Sequence, residues 1–240
     1  MQAYELEKQT LLYTILNTPG RVWPHRHSYC RAVFSDPFYT RLQDHLPPAE
    51  AYTPLGATGK ASAADYGMRS GFLLDAPHKA RVSPAVATFW QDLFDKIFDA
   101  DFAATLVHHF QDQIAARLKA EGAAWPTDIK RDMILVRDTS SDGVKIHTSD
   151  PKNLITLLFY LPRDERYAPC GTTLYVPKAR GFRCWGGPHH AFEDFDKVWT
   201  APFLPNSLFL FVKTDDSFHG VEPIEIEGMR RDLLLFYIHR

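Results

Sequence analysis

Cysteine is scarce in this chain: Cys30, Cys170 and Cys184 are the only three among 240 residues. An odd number without metal-ligand spacing argues against a disulfide framework or a zinc cluster and fits reduced thiols. An excess of one charge is also lacking, since 27 basic residues against 29 acidic ones leave a formal net charge of −2. Nucleic acid and anionic membranes need a concentrated positive surface, so neither is an expected partner. No stretch stays apolar for the thickness of a bilayer, and Glu5, Glu7 and Lys8 interrupt any apolar core near the start. A cytoplasmic protein is therefore expected. Internal repeats, low-complexity tracts and phosphate-cradling glycine motifs are absent as well.

What the chain has is apolar and aromatic material, 45% and 13% of its residues, enough to bury a sizeable core as a single domain over 1–240. Helical patterning dominates the first half. Glu5 to Leu16 reads as a short helix, and Ser35-Asp36-Pro37 is a start signal for another running to about Leu46. After Ser83-Pro84, Val86, Phe89, Trp90, Leu93, Phe94 and Ile97 recur at helical spacing, and a second stripe runs from Phe102 through Leu106, Phe110 and Ile114 to Leu118, ended by Gly122. From Asp128 onward the apolar runs have strand length: Met133 to Val136, Leu154 to Leu161, Thr172 to Val176, Leu208 to Val212 and Leu233 to Ile238. The expected architecture is mainly β with covering helices: a helix-rich cover over 1–125 and a double-sheet jelly roll over 126–240. Pro47 to Ala64 and Ala179 to Asp196 read as long irregular loops of the kind that often close a site.

Chemistry concentrates in the strand-rich half. His147 stands beside a carboxylate, Asp150, just before the apolar run that ends at Leu161; His219 follows 72 residues later, and Arg231 comes 12 residues after that. Two imidazoles and one carboxylate on a β scaffold are the ligand set that holds non-haem Fe(II) on one face and leaves the other positions open. Each histidine taken alone reads more readily as a surface or hydrogen-bonded residue than as a ligand, and Arg231 could be a solvated strand-end charge. Their joint placement carries the metal reading. Neither His108-His109 nor His189-His190 is assigned to metal; the first pair falls in a helical stripe, where adjacent residues do not share a face.

These residues resemble the motif of the iron(II)/2-oxoglutarate-dependent oxygenases, in particular the prolyl-hydroxylase-like branch: His-x-Asp, a long gap, His, then a basic residue. The resemblance covers about the last half of the chain, through the His147 segment, Cys170 to Pro177, Pro205 to Phe209, Phe218 to Val221 and Arg231 to Leu235, and less specifically Arg31 to Leu55. One departure is sharp. Ser149 stands where the family's Asp belongs, with Asp150 one residue later, and on a regular strand one step turns a side chain to the opposite face. Either the backbone bulges and Asp150 reaches the metal, or the carboxylate position is vacant.

The resemblance implies a jelly-roll fold, Fe(II) held by His147, Asp150 and His219, and 2-oxoglutarate as co-substrate with its distal carboxylate gripped by Arg231 in a fork that a lysine cannot reproduce. Thr156 and Tyr160, on one face of their strand, are candidates to hydrogen-bond the co-substrate or simply to pack. Arg137 and Asp138 either line the pocket or form an exposed ion pair; Asp215 and Asp216, just before His219, either orient a metal ligand from behind or, more readily, belong to a solvated turn. The implied reaction uses O2 to hydroxylate an unactivated C–H bond of a small-molecule or carrier-bound substrate. Two alternatives follow from Ser149: a halogenase that uses the vacated carboxylate position, and a metal-poor jelly roll that only binds a ligand. Substrate choice and oligomeric state have no readable code in the sequence.

Overall fold

The computed structural model describes residues 2–58, 69–139 and 141–240. Eleven strands are described: β1 (His27–Arg31), β2 (Thr53–Pro54), β3 (Arg69–Leu73), β4 (Lys130–Asp138), β5 (Val144–His147), β6 (Asn153–Tyr160), β7 (Thr173–Pro177), β8 (Phe195–Thr200), β9 (Ser207–Val212), β10 (His219–Val221) and β11 (Arg231–His239). They form a seven-stranded sheet in the order β1-β9-β6-β11-β4-β3-β2 and a four-stranded sheet in the order β5-β10-β7-β8, all pairings antiparallel. The result is an antiparallel jelly roll whose sheets stay open at their edges, as the sequence pattern predicts.

The large sheet is apolar on both faces because it is covered on both. On β4, Met133 and Leu135 join a cluster with helical residues, while Ile134 and Val136 join residues of the small sheet. This is the two-residue alternation of a pleated strand. The outer face is covered by α1 (Gln2–Asn17), α2 (Asp36–Asp44), α4 (Pro84–Lys96), α5 (Ala100–His109) and α6 (Gln111–Glu121); the short α3 (Ala76–Lys79) contacts β3. Phe89, Trp90, Leu93, Phe102, Leu106 and Ile114 are buried against it, and Phe98 stacks on Phe236 of β11 at 4.6 Å. Each such side chain contributes about 1.5 to 3 kcal/mol by leaving water.

The start signals act as the sequence suggests. The Ser35 and Ser83 hydroxyls accept from the amides of Phe38 and Val86, each with proline at the first turn. The single stripe expected from Phe102 to Leu118 is two helices, broken at Phe110, and Gly122 closes the second in the left-handed region at φ 67°.

The first half is less purely helical than its pattern implies: β1, β2 and β3 all add to the large sheet. The Pro47 to Ala64 segment is described only as far as residue 58, where it forms two single turns and the two-residue β2; residues 59–64 lie outside the described residues. Among the described residues no helix is long and apolar enough to cross a membrane.

Candidate active site

Between the two sheets lies a cavity of about 200 Å³. His147 ends β5 and His219 opens β10, and the two are direct partners in the ladder that joins these strands. Their ring centroids are 4.4 Å apart. In each, Nδ1 is held by the carbonyl two residues earlier: His147 by Lys145 at 3.0 Å and His219 by Ser217 at 2.8 Å. An N–H given to a carbonyl fixes the tautomer, so Nε2 carries the lone pair of both rings.

Burial keeps both imidazoles neutral. It holds the pKa of His147 well below the ordinary value, with His219 and His189 adding to the effect, and brings that of His219 down to about 3. A neutral imidazole needs to shed no proton to bind a metal.

At the other end of the cavity sits Arg231, 1% exposed. It opens β11, and the alternation that sends Leu234 and Phe236 toward the helices puts Arg231, Leu233 and Leu235 along the cavity. Its Nη1 donates to Asp138 Oδ2 at 2.9 Å, whereas Nε and Nη2 are buried with no hydrogen-bond partner among the described residues. Burial, and then the neighbouring Arg69, lowers its pKa to about 10, so it stays protonated at neutral pH. Two buried donors on a cation without acceptors are costly unless a ligand supplies them.

The sequence-predicted residues divide as follows. His147, His219 and Arg231 converge on one cavity, which Thr156 also lines with a buried hydroxyl that has no partner among the described residues. Tyr160 does not line it; its hydroxyl accepts from the Thr172 amide at 3.0 Å and stays behind the wall. Arg137 and Asp138 neither pair with each other nor line the cavity. Asp138 turns inward to Arg231, while Arg137 turns outward to Asp232 at 2.8 Å and over the ring of Tyr52. Asp215 and Asp216 pair with the exposed Arg183.

Asp150 lines the same cavity as the two imidazoles, but its carboxylate turns to the backbone of its own loop. After β5 the backbone turns at Ser149, whose φ is 56°, in the left-handed region that serine seldom adopts. The turn aims the Ser149 hydroxyl at His219 and leaves Asp150 exposed, where its Oδ1 accepts from the Lys152 amide at 2.9 Å. Among the described residues no three His, Cys, Asp or Glu side chains converge as a ligand group.

The 179–196 loop seals this turn. Gly186, at φ 124°, packs so closely that a Cβ there would collide with the Ser149 carbonyl oxygen. Thr148 donates to the Cys184 carbonyl at 2.7 Å and accepts from the buried Lys213 at 3.1 Å. The ring of His189 lies parallel to that of His147, 4.5 Å away.

No protein-family model matches this sequence, and no curated protein is similar to it at the level of sequence. Solved structures are similar in shape. A prolyl-4-hydroxylase from Pseudomonas putida, 12% identical, matches over 97% of this chain and 99% of its own with a TM-score of 0.53. The fold is that of the prolyl-4-hydroxylases. A prolyl 4-hydroxylase from Phytophthora capsici matches with TM-score 0.51 at 14% identity, over 100% of this chain and 66% of its own. An oxidoreductase of the 2OG-Fe(II) oxygenase family from Burkholderia pseudomallei, 12% identical, gives 0.50 over 89% and 84%. At such identities the likeness establishes architecture, and the chemistry rests on the residues.

Sequence reasoning did not single out Arg69 or assign a role to His189. Arg69 carries no local motif, and its place beside Asp138 arises only from pairing of distant strands. His189 had a signal in its position within a loop long enough to act as a lid, but its neighbour His190 drew the same weight.

Proposed function

We propose that the protein is an iron(II)- and 2-oxoglutarate-dependent oxygenase that hydroxylates an unactivated C–H bond of a small-molecule or carrier-bound substrate. The observation that carries this reading is the pairing, in one cavity, of two neutral imidazoles presenting Nε2 with a buried guanidinium whose Nε and Nη2 have no partner among the described residues. A metal prefers the first arrangement and a carboxylate the second.

His147 and His219 would hold Fe(II), which supplies the binding of O2 and the oxidising power of the reaction when it is bound. Arg231 would hold the distal carboxylate of 2-oxoglutarate in a charge-assisted fork, and the Thr156 hydroxyl can donate a further hydrogen bond to a ligand in the cavity. The 179–196 loop limits access of water on the His147 side, which strengthens every polar contact within.

The third protein position separates two outcomes. Asp150 would complete the set only if the turn at Ser149 rearranged. The placement of Ser149 beside His219, with Asp150 turned to Lys152, supports a second reading beside the first, in which halide takes that position and is transferred to the substrate carbon. An anaerobic titration with Fe(II) and 2-oxoglutarate tests both: a weak visible charge-transfer band is expected in either, and perturbation by chloride only in the second. No band would leave a ligand-binding jelly roll as the remaining reading.

A further inference from the structure

Three side chains from three strands stand in one row at the closed end of the cavity. Arg69 on β3 is the ladder partner of Asp138 on β4, and Asp138 is the ladder partner of Arg231 on β11. Residues opposite one another in a ladder project from the same face, so the two guanidiniums flank a single carboxylate. Arg69 places Nε and Nη2 at 2.8 Å from Asp138 Oδ2, and Arg231 places Nη1 at 2.9 Å from the same oxygen. The side chains are 11%, 1% and 2% exposed for Arg69, Asp138 and Arg231. Arg69 and Arg231 both line the cavity, beside Leu55, Val136 and Leu233.

Within this row, two guanidiniums share one carboxylate, so the row carries an excess of positive charge. Buried charge of that kind is unfavourable without a counter-charge. Repulsion between the two guanidiniums, seen in the effect of Arg69 on Arg231, is relieved only in part by the carboxylate they share.

We infer that Arg69 is a second cationic member of the co-substrate anchor, and that Asp138 both aims Arg231 and sets the net charge of the anchor at one positive unit, matched to a single carboxylate. The inference rests on the oxygenase reading and extends it to a residue outside the strands that carry the family motif. Asp138 accepts from Nη1 of Arg231 and leaves its Nε and Nη2 as buried donors with no partner among the described residues. A dianionic phosphate would overcompensate the anchor, whereas a carboxylate balances it. Removing Arg69 leaves Arg231 paired with Asp138 and lowers the positive charge that faces the anion.

The test is calorimetric binding to the anaerobic Fe(II)-loaded protein, using 2-oxoglutarate and 2-oxopentanoate, which has the same keto acid end but a methyl group in place of the distal carboxylate. Arg69→Met is expected to weaken 2-oxoglutarate by about tenfold or more, the scale of one lost charge interaction, and to leave 2-oxopentanoate unchanged. Arg69→Lys restores the charge and should recover most of the loss. Arg231→Met serves as the reference for the anchor. Unchanged 2-oxoglutarate affinity in Arg69→Met, with loss in Arg231→Met, overturns the role of Arg69. Equal weakening of both keto acids also overturns it, by showing a structural effect. Absence of 2-oxoglutarate binding in the unaltered protein overturns the oxygenase reading, and the anchor with it.

Discussion

The hydroxyl oxygen of Ser149 lies 3.4 Å from Nε2 of His219. That nitrogen is the one left to bind a metal once Nδ1 is given to Ser217. Serine therefore stands next to the coordination position where the family pattern places a carboxylate, and its left-handed backbone puts it there.

Replacing His219 with Ala should abolish Fe(II) binding while leaving the far-ultraviolet circular dichroism unchanged, because the ring lies at the cavity and makes little of the apolar core. His147→Ala should do the same. Metal binding is read by anaerobic titration, and a variant that binds with the original affinity would remove the assignment.

The carboxylate position is open to a pair of opposite substitutions. Asp150→Ala should change metal affinity by less than about threefold, since that side chain is exposed and serves the Lys152 amide. Ser149→Asp should raise it by about tenfold, because aspartate tolerates the left-handed region and brings a negative charge to a dication held by neutral ligands. Loss of metal in Asp150→Ala would show that the turn rearranges when the metal enters.

For Arg231→Leu the expected effect is on the co-substrate. A charge-assisted fork is worth about 1.5 to 3 kcal/mol, so the 2-oxoglutarate concentration at half saturation should rise by roughly 10- to 150-fold. Metal affinity should stay within a few-fold. The fold should tolerate the change because Asp138 keeps Arg69 as its partner.

Acid should destabilise the protein below neutral pH through buried histidines. Burial, with His27 and Lys213 nearby, lowers the pKa of His25 to about 3. Because the folded value is depressed, the unfolded chain binds the proton more readily below pH 6.5, so stability present above that point is lost as pH falls toward 3. One such group accounts for about 2 kcal/mol at pH 5. His25→Phe should flatten the dependence of the urea midpoint between pH 7 and 5, and an unaltered slope would assign the acid sensitivity elsewhere.

Much of this was legible before the fold was seen. Periodic apolar residues mark the long helices, and apolar runs mark the middles of β4, β6, β9 and β11, the strands around the centre of the large sheet, because strands covered on both faces are mostly apolar there. The outer strands are less legible. His27-Ser-Tyr-Cys-Arg31 and Arg69-Ser-Gly-Phe-Leu73 look polar or mixed, since only part of each meets the core. β8 begins inside a segment that reads as loop.

In the site, His147, His219 and Arg231 were visible because their types and spacing form a motif. Asp138 and Arg137 could not be told apart without knowing the pleat, for adjacent strand residues face opposite ways. Arg69 was invisible to any local pattern, and the direction of Asp150 depended on one backbone angle at Ser149.

The two imidazoles belong to the four-stranded sheet, and Arg231 belongs to the seven-stranded one. A molecule chelated at one end and held by arginine at the other therefore acts as a tie-bar across the sandwich. Metal and co-substrate should stiffen the protein together more than the sum of their separate effects, because neither alone links the layers. The protein would gain its working rigidity only once it is charged for turnover.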